Sequence, residues 1–103
     1  MKTKCFKLVS HEEIIADITN ETGDFIAIKQ PMVLAMVGEG QLAMFPWAPL
    51  AEKQEFMLET KNIVLQYIPD EKLVNGYRQR TSGIVVAPAG ALNKLGEKPA
   101  LWQ

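Results

Sequence analysis

The sequence predicts a mainly β fold: a small, strongly bent antiparallel barrel of five strands with one C-terminal helix. Three observations carry that expectation. Short apolar runs alternate with period two and are separated by turn residues. One run, Phe25 to Val37, spans thirteen residues. Extended, it would cover about 43 Å at ~3.3 Å per residue, too far for a flat strand in a small domain. Helix signals gather only after the last strand. Closure into a barrel is expected because it removes exposed sheet edges.

The first strand is read in "KCFKLVS", where Phe6 and Leu8 share one face and Cys5 and Lys7 the other. "EEIIADITNETGD" sets Ile14, Ala16 and Ile18 against Ile15, Asp17 and Thr19. It ends in a hairpin loop where Gly23 is available for a positive φ. In "FIAIKQPMVLAMVG", Ile26, Ile28, Met32, Leu34 and Met36 have one parity, and the two halves of the run are expected to serve different parts of a curved sheet. Pro31 falls mid-run and marks a sharp bend, since proline gives no donor to a ladder. "VGEGQ" is a turn. "LAMFPW" is the first half of a returning strand, which the polar "AEKQE" loop interrupts. Pro46 and Pro49 flank Trp47 and switch off pairing there, so the indole is expected to cover a barrel end or a neighbouring subunit.

"FMLETKNIVLQYIP" gives the second half and the last strand, pivoting at Thr60-Lys61-Asn62. "PDEKLVNGYRQRTSG" starts on Pro69 and Asp70, carries acids first and Arg78 and Arg80 late, and meets Gly83 as a stop. Leu73, Val74 and Tyr77 form its apolar stripe, and Gly76 inside it makes the helix dependent on packing. Residues 1–83 thus form barrel plus helix, and 84–103 a C-terminal extension whose end is expected to be loosely held.

Eleven basic and twelve acidic residues give a formal charge of −1, so there is no global nucleic-acid footprint and any such binding needs a local patch. Cys5 is the only cysteine, which excludes an intrachain disulfide, and His11 the only histidine, which excludes a His pair for metal or proton relay. Cys5 reads as a small buried residue and His11 as part of an exposed turn. Asp17 with Glu12 or Glu13 reads as a solvated strand face rather than a catalytic carboxylate pair. "GEG" lacks the lysine that a phosphate-binding loop needs. Neither enzyme activity nor a cofactor nor a metal is expected. The N-terminus has no signal-peptide pattern and no run spans a bilayer, so a cytoplasmic place is expected, in the host cell if the chain is phage-encoded.

The order of elements resembles the Sm-like (LSm) family, particularly its small bacteriophage-encoded members, over roughly residues 4 to 82. "SHEEIIADI" stands where the family has a turn and a Gly-flanked "EIxG" strand: Glu13 and Ile14 match, while His11 and Ala16 occupy the glycine positions. "DFIAIKQPMVL" looks like the bent third strand, and "FPWAP" with "KNIVLQYIPDEKL" like the phage-type continuation. The resemblance implies a homo-oligomeric ring, here of roughly five to seven chains, joined through strand edges.

It also implies where nucleic acid would bind. Asp24 matches the start of the family's RNA-binding turn, but Ile26 and Ile28 replace its aromatic and asparagine. Glu59 and Thr60 replace its Arg-Gly pair, leaving Lys61 and Asn62 as the polar residues of the second turn. The oligo(U) pocket is therefore degenerate. The nominated nucleic-acid-binding residues are Asp24, Phe25, Lys61, Asn62, Arg78 and Arg80, with single-stranded RNA or DNA as partner. The competing reading is a structural or adaptor ring that binds proteins, with the helix arginines merely solvated.

Overall fold

A computed structural model describes residues 2–82; the expected extension and Gly83 lie outside the described residues. The chain is mainly β, with one helix. In order it forms β1 (Lys2–Leu8), β2 (Glu13–Glu21), β3 (Phe25–Val37), β4 (Gln41–Pro46), β5 (Glu55–Glu59), a 3-10 turn (Thr60–Asn62), β6 (Ile63–Tyr67) and α1 (Glu71–Thr81). All pairings are antiparallel, in the order β4-β3-β2-β1-β6, with β5 also on β3. Strand β4 lies along the second half of β3, from Val37↔Gln41 to Met32↔Pro46, and β5 along the first half, from Lys29↔Glu55 to Phe25↔Glu59. They are the two halves of one interrupted returning strand, and Pro46 ends the first.

Closure into a barrel does not occur within the chain. Among the described residues no ladder joins β6 to β4 or β5, so the bent sheet keeps two edges. Only the 3-10 turn separates β5 from β6, and it sends the chain onward to β1 instead of folding it back. Side chains from both edges nevertheless meet: Leu58 of β5 and Ile63 of β6 belong to or pack on one cluster with Phe6, Ile14, Ile26 and Ile28. Burial of apolar area bends the sheet around this cluster without a closing ladder.

The two halves of β3 serve different parts of the sheet, as the bend at Pro31 led one to expect. A bulge sends Ile26 and Ile28 to one face and Met32 and Leu34 to the other, although they share a parity. The β2–β3 register passes from Asp17↔Lys29 to Ile15↔Met32, so Gln30 and Pro31 together oppose Ala16. Gln30 takes φ 56, and Pro31 is fully buried. One extra residue flips every later side chain to the other face. Ile26 and Ile28 therefore stay in the first cluster, whereas Met32 and Leu34 join a second with Cys5, Ile15, Met44 and Tyr77. That second cluster is the seat of α1.

Asp70 caps α1, its side chain accepting from the Leu73 N–H at 2.9 Å. Tyr77 is fully buried, and its hydroxyl donates to the carbonyls of Gln30 at 2.9 Å and Lys29 at 3.2 Å, at the bulge. Two local readings are corrected. Gly23 does not adopt positive φ; the β2–β3 turn is closed by Thr22, whose N–H donates to the Phe25 carbonyl at 2.8 Å. Asp17 is not solvated: it is 6% exposed, because Arg78 and Thr3 reach it across the sheet.

Candidate nucleic-acid interface

Two turns distant in sequence are tied together at one end of the sheet. The Thr60 N–H donates to the Asp24 carbonyl at 2.9 Å, and the Thr60 hydroxyl to the Gly23 carbonyl at 3.0 Å. Ladder pairing of Phe25 with Glu59 continues the junction. Around it Asp24, Phe25, Glu59, Thr60 and Lys61 line an open cleft of about 320 Å³. Phe25 is 38% exposed. Phe25 and Glu59 are direct cross-strand neighbours, so their side chains stand on one face. Lys61 Nζ lies 3.3 Å from Glu59 Oε1, and both side chains are largely solvated. The fourth nominated residue of the turns, Asn62, is exposed, and its carbonyl accepts from the Val9 N–H at 2.9 Å, fixing the turn to the end of β1.

The helix arginines are elsewhere and differ from each other. Arg78 Nη1 lies 2.8 Å from Asp17 Oδ2, and Nη2 donates to the Thr3 hydroxyl at 2.7 Å. Thr3 in turn donates to Asp17 at 2.6 Å. The guanidinium also sits 5.5 Å from the Tyr77 ring centroid. The hydrogen bond to Asp17 holds its pKa above the usual arginine value. Arg78 is committed to holding α1 on the sheet. Arg80 lines a different cleft of about 280 Å³ with Pro31, Pro46, Pro49 and Gln54, next to the bulge. The six nominated residues thus fall in three places, with Asp24, Phe25, Lys61 and Asn62 around one junction.

Trp47 packs on the first cluster, meets Phe56 edge to face at 6.0 Å, and donates its indole N–H to Glu12 at 3.3 Å. Its ring covers the end of the core. Beneath α1, Tyr67 donates to Glu13. Burial and this bond raise the Tyr67 hydroxyl well above its ordinary value, and burial raises the Cys5 thiol. A thiol so held is a packing residue, not a nucleophile. A larger cleft of about 450 Å³, lined by Thr19, Lys29, Glu55 and Met57 among others, holds none of the nominated residues. No helix among the described residues is long and apolar enough to cross a membrane.

Glu59 and Asp17 are the residues sequence reasoning undervalued. Glu59 was readable as a carboxylate abutting Lys61; Asp17 was not, because its partner is 61 residues away. No protein-family model and no curated protein matches the chain.

Proposed function

We propose that the chain is a subunit of an Sm-like homo-oligomeric ring of roughly five to seven copies that binds single-stranded RNA or DNA weakly per subunit and more tightly by repetition. The supporting observation is the junction of the two turns, Thr60 bonded to Gly23 and Asp24, which gathers Asp24, Phe25 and Lys61 in one cleft, with Asn62 next to Lys61 in the turn. Those turns are the ones that carry the RNA site in the family the sequence resembles. Two further features agree with it. His11 sits at φ 77 where the family has glycine, a backbone favourable to glycine. The bent sheet leaves β6 at one edge and β4 with β5 at the other, so each chain offers two complementary edges for ring closure. On this reading the protein is a binding module with no catalytic step, acting in the cytoplasm, of the host cell if phage-encoded.

Filter binding of short RNA and DNA single strands across a salt series tests it. Each phosphate contact contributes a slope of about −0.7 for single strands. Lys61→Ala should flatten the slope by about one such contact per engaged subunit. Arg78 is left intact, because removing it would loosen α1. Absence of salt-dependent binding by the wild type at low ionic strength would refute the proposal. The adaptor ring is the second reading, favoured by the pairing of Lys61 with Glu59 and of Arg78 with Asp17. It predicts that null result.

A further inference from the structure

The cleft between the turns has the wrong polarity for a plain phosphate site. Two carboxylates, Asp24 and Glu59, share it with one lysine, and an exposed phenyl ring forms part of its wall. Glu59 holds Lys61 at 3.3 Å, whereas the Asp24 carboxylate takes no hydrogen bond from the described residues. An acceptor with two oxygens, an ammonium donor and a ring thus line one cleft.

We propose that this cleft selects a guanine base of a single strand; the inference rests on the single-strand reading above. Guanine presents in a row N2–H, N1–H and O6: two donors, then an acceptor. A carboxylate accepts two parallel N–H groups, and a lysine donates to a carbonyl oxygen. Asp24 then takes N1–H and N2–H, Lys61 gives one of its three donors to O6 and another to the adjoining phosphate, and the base lies on Phe25, whose ring gives a sequence-tolerant stacking face. Uracil fits the same groups badly, because its single N–H lies between two carbonyls and one of these would face the carboxylate. Cytosine and adenine carry one amino group beside ring acceptors, so neither satisfies both carboxylate oxygens. Glu59, 3.3 Å from Lys61 Nζ, is a positioning residue for that ammonium. The degenerate family pocket is on this account a pocket of altered base preference.

The measurement is fluorescence anisotropy of labelled 12-nucleotide strands at low ionic strength: alternating U-G, U-A, U-C and U-inosine repeats, and an all-U strand, each as RNA and as its DNA counterpart. The alternating repeats avoid runs of guanine. The wild type should bind U-G strands roughly tenfold or more tighter than all-U, the scale of a bidentate base contact. Inosine, which lacks the 2-amino group, should bind less tightly than guanosine. A guanine preference in either sugar supports the proposal and names the source of the base. Asp24→Asn should erase the preference, read as the ratio of U-G to all-U affinity, with an unchanged circular-dichroism spectrum. Lys61→Ala should weaken every strand. Equal binding to all strands, or a preference for all-U, would overturn the guanine assignment and leave the single-strand reading standing. Failure to bind any strand would remove that reading, and the assignment with it.

Discussion

Tyr77→Phe isolates the joint between α1 and the bulge. The change keeps the buried ring among Cys5, Ile15 and Met32 and removes only the hydroxyl that donates to Gln30 and Lys29. One such bond contributes about 1 kcal/mol net. In a domain of this size that corresponds to a fall in Tm of about 4–8 °C. The pH profile gives a second, independent readout. Burial first, and the nearby Asp17 charge second, raise the Tyr77 hydroxyl above its ordinary value of 10.0. Above pH about 10 the unfolded chain loses this proton while the folded chain keeps it, so stability is full below that pH and declines above it. The decline approaches about 1.4 kcal/mol per pH unit for each such group. Tyr67, raised first by burial and then by its bond to Glu13, acts in the same direction. Urea titrations from pH 8 to 11 at one protein concentration should therefore show a steep alkaline loss in the wild type. The Tyr77→Phe variant should lose stability less steeply, by up to one group's share. An unchanged midpoint together with an unchanged alkaline slope would refute the placement of the Tyr77 hydroxyl against the bulge.

Arg78→Ala should destabilise the fold by about 1–3 kcal/mol in urea denaturation, below the range for a fully buried pair because the Arg78 side chain is 44% exposed. Asp17→Asn in that background should restore part of the loss, since it removes the stranded carboxylate. At Gln30, whose φ of 56 disfavours branched side chains, Gln30→Val should lower stability by about 1–2 kcal/mol. Gln30→Gly should leave it within about 1 kcal/mol of the wild type, as relief of strain and added chain entropy oppose each other. Thermal melts of the two variants check the difference. Lys61→Ala, read by its salt slope, completes the set.

Strand existence was legible wherever a period-two pattern ran without interruption. The extent of β3, the split of the returning strand at Pro46, and the start of α1 at Asp70 follow from local chemistry: alternation, missing proline donors and a capping side chain. The face swap within β3 was not legible. It depends on a left-handed backbone at Gln30, a residue with no glycine-like signature, held by a tyrosine 47 residues later. Closure was misjudged for a different reason. Sheet edges need cover only in the assembled molecule, and within one chain the short turn at Thr60–Asn62 supplies no ladder between β5 and β6. At the site, local sequence nominated the cations but not their partners. Asp17 neutralises Arg78 through tertiary pairing that charge counting cannot see, whereas Glu59 pairs with Lys61 from only two residues away. The meeting of Thr60 with Gly23, 37 residues apart, had no local signal.

The central claim is that the two open edges are completed by neighbouring copies. Strand β6 is five residues long, with Val64 and Leu65 more than half exposed in the single chain, and Met57 of β5 is 62% exposed on the opposite edge strand. Light scattering coupled to size exclusion at micromolar concentration measures the outcome directly. The account predicts one closed species of roughly five to seven chains whose mass does not grow with concentration, because head-to-tail pairing that closes leaves no free edge. A stable monomer of 11.5 kDa across that range would contradict it.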